Sequence, residues 1–365
     1  IAIDCLAFQK GKVGGLETYL LNLLEGLDQV IPNGALVTLF ILENQLVHFQ
    51  HLKNKFKIKA FNINNKYLRV AFENIVLPAY SFFYDVFLFP ANFRPFLVFC
   101  KTITVIHDIQ YIFFPKNFPI LKYLYRRMFI PISIKKSDLV ITISKSVRDE
   151  IYNKFKPNNV VVVYNPIKVE KKEYLTFNDK TIPTESFFLI PSGLYPNKNI
   201  FNLLKAIEKI GSETSEFRFV FIGPFNREEF IRKFSEIGKL IVVLGYVNAE
   251  LKDYLYKKCV AVIYPSIYEG FGMPYVEAVL MGKPIIVSEI NIAREILGDC
   301  AYYIKPPYGV EEIYEAIETF INSGSRSMIK YEKIKNSLEV KTEIKFVAER
   351  YLNCINEVLK TKPRA

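Results

Sequence analysis

The sequence predicts an α/β protein of two doubly wound, parallel-sheet domains, and three observations carry that expectation. A chain of 365 residues is too long for one ordinary core and fits two domains of about 170 residues each. Short apolar runs without polar alternation recur along it, separated by segments of helical character, as a sheet covered on both faces by helices requires. The runs fall into two sets, and a charged, nonperiodic stretch from Lys168 to Glu185 lies between them as the natural linker.

In the first set, Ile1 to Phe8, Leu36 to Leu42, Asp85 to Phe89, Thr102 to Ile106, Leu139 to Ile143 and Val160 to Tyr164 read as strands. Gly14 and Gly15 occupy the loop after the first of them, ahead of a helix over Thr18 to Leu27. Ile75 to Cys100 is rich in Phe, Leu, Val and Tyr. Asp85, Arg94, Pro78, Pro90 and Pro95 interrupt it, so it reads as a buried strand between loops and not as a spanning helix of roughly 20 apolar residues. In the second set the strands are Phe187 to Ile190, Phe217 to Ile222, Leu240 to Leu244, Val260 to Tyr264, Pro284 to Val287 and Ala301 to Ile304. Val347 to Leu359 carries apolar residues at helical spacing, so one face of a terminal helix packs on a core. The expected boundaries are 1–167, 168–345 and a helix over 346–365 that returns to the first domain.

Half of the residues are hydrophobic and 15% are aromatic, enough for two cores. Cys5, Cys100, Cys259, Cys300 and Cys354 have neither paired nor metal-type spacing, which fits reduced core thiols in a cytoplasmic protein, and no export signal is expected. The net charge of +11 is uneven: through residue 180 there are 24 Lys and Arg against 14 Asp and Glu, and beyond it 24 against 23. The electropositive first half suits nucleic acid, an anionic membrane surface or a phosphorylated substrate. No RNA-recognition or zinc-finger signature accompanies it, which disfavours nucleic acid. There is no Asp-x-Asp pair, and His48, His51 and His107 lack ligand spacing, so no metal or other cofactor is expected.

Ligands of open parallel sheets bind at the carboxyl ends of the strands. His107 and Asp108 follow Thr102 to Ile106, Ser192 to Lys198 follows the first strand of the second set, and Tyr246 to Asn248 follows Leu240 to Leu244. The densest chemistry follows Val260 to Tyr264: Glu269 and Glu277 stand eight residues apart around Gly270, Phe271 and Gly272, ahead of helical residues from Tyr275. Free amides at a glycine turn suit phosphate or sugar oxygens, and an ionised carboxylate accepts several hydroxyl hydrogen bonds at once.

With these residues assembled, the chain resembles the retaining glycosyltransferases of family four, and within them bacterial mannosyl- and rhamnosyltransferases of surface polysaccharide (O-antigen or capsule) assembly. The resemblance rests on Gly14-Gly15, Val105 to Asp108, Ser137 to Ser144, Gly193 to Asn199, Gly245 to Val247, Glu269 to Glu277 and Gly282-Lys283-Pro284. It implies two Rossmann-like domains facing across a cleft, the GT-B architecture. Glu277 would hold the ribose of a nucleotide-sugar and Glu269 would lie near the transferred sugar. The amides of Gly270, Phe271 and Gly272 would face sugar and diphosphate, with Gly14, Gly15 and Gly193 also on the donor. Lys198 would neutralise the diphosphate, Tyr246 and Val247 would flank the base, and His107 would face the reacting sugar, with Asp108 orienting it. Many members carry an arginine next to the position of Gly193, and here Ser192-Gly193-Leu194 has none, which shifts the phosphate grip toward Lys198.

The resemblance further implies front-face attack with retention, without metal, on a lipid-diphosphate-linked glycan. The expected donor is GDP-mannose, with UDP- or dTDP-sugars as alternatives. Tyr111 to Lys136 interleaves aromatics with cations, among them Arg126 and Arg127, as a surface lying on the inner face of the cytoplasmic membrane would. A nucleotide-sugar epimerase, a basic nucleic-acid-binding protein and a noncatalytic sugar-binding subunit are the rival readings.

Overall fold

The computed structural model describes residues 1–9, 15–168, 182–211, 216–225, 230, 237–323 and 328–361. They divide into two compact units, Ile1–Lys168 with Val340–Ala365, and Val169–Glu339. The first unit is built on a seven-stranded sheet of β1 (Ala2–Asp4), β2 (Val37–Leu42), β3 (Phe56–Phe61), β4 (Val86–Phe89), β5 (Lys101–Ile106), β6 (Leu139–Thr142) and β7 (Val160–Val162), in the order β3-β2-β1-β4-β5-β6-β7. The second has six strands, β8 (Phe187–Pro191), β9 (Arg218–Ile222), β10 (Ile241–Gly245), β11 (Ala261–Tyr264), β12 (Ile285–Ser288) and β13 (Tyr302–Ile304), in the order β10-β9-β8-β11-β12-β13. Every pairing in both sheets is parallel. In each, the order reverses beside the first strand, so the loops after β1 and β4, and after β8 and β11, flank a switch point.

The helices that position the sites are α1 (Gly15–Val30), α2 (Lys66–Ile75), α3 (Ile120–Lys136), α4 (Ile200–Gly211), α5 (Ala249–Lys258), α6 (Met273–Leu280) and α7 (Ile344–Lys360). The last belongs to the first unit. Its Tyr351 hydroxyl meets that of Tyr19 on α1 at 2.7 Å, both rings fully buried. Gly26 of α1 admits this approach, since a Cβ there would stand 2.3 Å from the Ile344 carbonyl oxygen. Lys101 donates to the Val358 and Leu359 carbonyls at 2.9 Å each, satisfying acceptors that the helix end leaves open.

Three sequence expectations need adjustment. β3 was missed because Phe-Lys-Ile-Lys-Ala-Phe lacks an apolar run. It is an edge strand, where lysines are tolerated, and the Lys59 ammonium lies 4.5 Å over the Tyr80 ring. The first strand ends at Asp4 instead of Phe8, because the Asp4 carboxylate accepts the Leu6 amide at 3.0 Å and turns the chain. The second boundary falls at Glu339 rather than 345: Thr342 accepts from the Ile167 amide at 2.8 Å, which ties residues 340–345 to the first unit. Most of the linker, residues 169–181, lies outside the described residues. Among the described residues no helix is long and apolar enough to cross a membrane.

Candidate active site

The second unit gathers most of the expected residues at the carboxyl ends of its central strands. Asn197, in the turn after β8, stitches that turn to the loop after β11: its carbonyl accepts from the Ile267 amide at 2.8 Å and from the Ser266 hydroxyl at 3.0 Å, and its side-chain amide donates to the Tyr268 carbonyl at 3.1 Å. This brings Lys198 against Glu269. The ammonium donates to Glu269 Oε1 and, at 2.6 Å, to the Tyr264 hydroxyl, and Ser266 donates to the same Glu269 oxygen at 2.6 Å. The pair is mostly buried, with side-chain exposures of 18% for Lys198 and 13% for Glu269. Burial, with Glu269 adding to it, pushes the Tyr264 phenol well above its ordinary range, so the hydroxyl stays protonated.

The glycine turn after Glu269 has a steric cause. Gly272 has φ of +74°, and a Cβ there would stand 2.2 Å from the Tyr275 ring, so the backbone can enter α6 here only as glycine. Phe271 is buried beside it. Gly193 is tight for a different reason, since a Cβ there would meet the Pro224 ring at 2.8 Å. Four residues into α6 beyond Met273, Glu277 points its carboxylate at α5. Lys252 donates to Oε1 at 2.7 Å and the Tyr256 hydroxyl to Oε2 at 2.9 Å. These donors are four residues apart, on one face of α5, and engage both oxygens of one carboxylate. Burial works against the Lys252 charge, but Glu277 overcomes it and holds the ammonium above its ordinary value. Tyr246 projects into solvent at 70% exposure, Val247 is half-buried, and Asn248 caps α5 through the Leu251 amide at 2.8 Å.

In the first unit, His107 follows β5. Its amide donates to Asn92 Oδ1 at 2.6 Å, its ring Nε2 lies 2.7 Å from the Pro90 carbonyl oxygen, and its ring meets Tyr19 edge-on at 4.7 Å. A carbonyl only accepts, so Nε2 carries the proton and Nδ1 is the free acceptor. Burial lowers the imidazole pKa, outweighing the Pro90 hydrogen bond that raises it, and the ring stays neutral. Asp108 does not hold His107: its carboxylate accepts the Gln110 amide at 3.0 Å and pairs with Arg126 at 3.5 Å. Arg126 therefore faces inward, with its guanidinium 4.8 Å over Phe118, whereas Arg127 is exposed and donates to Tyr123 at 3.2 Å. Gly15 opens α1 with open space where a Cβ would stand, and Gly14 lies outside the described residues. Among the described residues no three His, Cys, Asp or Glu side chains gather in a metal-binding group.

Comparison with known proteins agrees with the two-unit fold. Residues 13–171 match the family model Glycosyltransferase Family 4, and residues 174–337 match Glycosyl transferases group 1. The chain carries two glycosyltransferase domains. It is 29% identical over 243 residues to the O-antigen chain mannosyltransferase RfbU of Salmonella typhimurium, covering 62% of this chain and 65% of that one. It is 29% identical over 220 residues to O-antigen chain mannosyltransferase B of Escherichia coli, covering 56% and 58%. The match thus spans less than two thirds of the length of these curated relatives. Anabaena HepE, solved with UDP and glucose, superposes with a TM-score of 0.71 at 16% identity over 98% of this chain and 100% of that one. Both units thus have the sheet architecture of GT-B glycosyltransferases.

Sequence reasoning singled out the two glutamates, Lys198 and His107 as candidates, and missed the residues that hold them. Lys252 and Tyr256 were not singled out in the sequence, and only their hydrogen bonds from α5 to α6 show that they face Glu277. Asn197 was visible beside Lys198, without any signal that it bridges two loops.

Proposed function

We propose that the protein is a hexosyltransferase that moves a sugar, mannose from GDP-mannose as the leading reading, onto a hydroxyl of a lipid-diphosphate-linked glycan in surface polysaccharide assembly. The observation that carries this is the convergence of Lys198, Glu269 and the Gly270 to Gly272 turn at the carboxyl ends of β8 and β11, with Glu277 anchored on the next helix. The names of the two O-antigen mannosyltransferase relatives favour mannose and a glycan acceptor. The UDP in the HepE structure supports a nucleotide-sugar as donor.

In this reading Lys198 exchanges its bond to Glu269 for the donor diphosphate, and its charge stabilises the phosphate as the bond to the sugar carbon breaks. The acceptor hydroxyl forms the new bond on the same face, its proton passes to the departing phosphate oxygen, and configuration is retained. Lys198 and backbone amides supply the charge stabilisation without a metal. Glu277 receives the ribose hydroxyls, and neutral His107 offers Nδ1 to a hydroxyl of the reacting sugar. Membrane attachment is supported by α3, which exposes Ile120, Leu121, Leu124 and Met128 beside the exposed cations Lys122 and Arg127. The protein would then work peripherally, on the inner face of the cytoplasmic membrane.

The test is the melting temperature of the purified protein with GDP, UDP, dTDP and ADP, each with magnesium or a chelator. A shift with GDP that survives chelation is expected. A shift with another nucleotide changes the donor class, loss of the shift on chelation removes the metal-free mechanism, and no shift with any of them sinks the transferase reading.

A further inference from the structure

The Tyr264 hydroxyl stands between Lys198 and Glu269, the two charged groups of the candidate site, and touches both. Tyr264 closes β11, a strand paired with β8 on one side and β12 on the other. The residue is 3% exposed, and its ring meets the Tyr275 ring edge-on at 5.5 Å. Packing on a central strand therefore fixes the hydroxyl in space. Lys198 comes instead from the short turn Pro196–Lys198, on a flexible four-carbon stem that its partners have to order. Its ammonium lies 2.6 Å from the phenol oxygen and 4.9 Å from the ring centroid.

Proton counting sets the direction of each bond. A neutral phenol has one proton to give and lone pairs with which to accept, whereas an ammonium only donates. Lys198 therefore donates to the Tyr264 oxygen, and the phenol proton goes to the Glu269 carboxylate. This order matters when the ion pair opens. Glu269 is only 13% exposed, and a carboxylate that loses its cation in such a place is costly. When the donor's diphosphate takes Lys198, Glu269 keeps the hydroxyl protons of Tyr264 and Ser266, and the ammonium keeps the Tyr264 oxygen as its fixed point. Without that hydroxyl the carboxylate depends more on Lys198 and releases it less readily.

We propose that Tyr264 is a positioning residue for the donor diphosphate: its hydroxyl holds the Lys198 ammonium in place and relieves Glu269 when that ammonium turns to the terminal phosphate. The proposal rests on the glycosyl-transfer reading and deepens it at the same site. The test is calorimetric titration of the wild type, Tyr264→Phe and Tyr275→Phe with GDP and with GMP, beside melting curves. Where the melting shifts select another nucleotide, its diphosphate and monophosphate take their place. Tyr264→Phe binds GDP about tenfold more weakly than the wild type, the loss of one hydrogen bond to a charged group, and binds GMP within about twofold. Tyr275→Phe removes a neighbouring buried hydroxyl that has no hydrogen-bond partner, and it binds both nucleotides as the wild type does. In a Lys198→Ala background, Tyr264→Phe changes GDP affinity by less than about twofold, because its effect runs through the ammonium. Equal GDP affinity in wild type and Tyr264→Phe, an equal loss for GMP, an equal loss in Tyr275→Phe, or the full loss again in the Lys198→Ala background overturns the proposal and leaves the transferase reading standing. A Tyr264→Phe protein that no longer melts cooperatively overturns it as well, since the hydroxyl then serves the fold. A wild type that binds no nucleotide overturns both readings.

Discussion

Both units hold mostly buried carboxylates at the carboxyl edge of their sheets, and they balance them in different ways. In the second unit each candidate glutamate has its own lysine and at least one hydroxyl donor: Glu269 has Lys198 and Ser266, and Glu277 has Lys252 and Tyr256. In the first unit Asp4 and Glu73 share one cation among the described residues, Arg69, and burial raises both, Asp4 to about 6 and Glu73 to about 8. One arrangement keeps paired charge ready for an ionic ligand, while the other keeps a proton in place of a second cation.

The largest effect is expected where a charge is exchanged with substrate. Lys198→Ala should lower kcat by about 10²–10³-fold, because a preorganised charge on the leaving group is removed. Steady-state kinetics beside a melting curve check this, and a loss of less than about fivefold with the fold intact would return Lys198 to a purely structural ion pair with Glu269.

Lys252→Met tests the second pair. The side chain touches Glu277 and stands behind the proposed ribose contact, so the donor KM should rise about tenfold with kcat changed by less than about twofold. Discrimination between GDP and its 2′-deoxy analogue should shrink in parallel, a readout that general destabilisation does not move. Equal discrimination in variant and wild type would mean that Lys252 only balances a buried charge.

How much of this was legible in the sequence follows from where the signals reside. Continuous apolar runs mark strands, so twelve of the thirteen strands among the described residues were visible, and the exception, β3, is an edge strand whose lysines break the run. Glycines at forced backbone positions, such as Gly272, carry their own signature. Partners across the fold do not. Arg126 stood in a basic-aromatic stretch that read as surface, and its inward turn onto Asp108 and Phe118 depends on how α3 packs. The Asp4, Arg69 and Glu73 cluster joins a strand end to a helix 65 residues later in the chain, with nothing local to announce it.

The smallest effect belongs to that cluster and runs through pH. Burial is the main cause of both shifts, with Asp4 adding to that of Glu73 and Arg69 opposing both, from ordinary values of 3.8 and 4.5. The folded chain therefore binds more protons than the unfolded chain between about pH 4 and pH 8. The stability from this pair is fully present below the unfolded values and is lost as pH rises through the folded ones. Glu73→Gln keeps the uncharged, hydrogen-bonding form at every pH. The melting temperature of the wild type should then fall by about 5 °C more than that of the variant between pH 6 and pH 9. Parallel curves for the two proteins would show that Glu73 is ionised throughout, and the contrast between a proton-sharing first unit and a lysine-paired second unit would disappear.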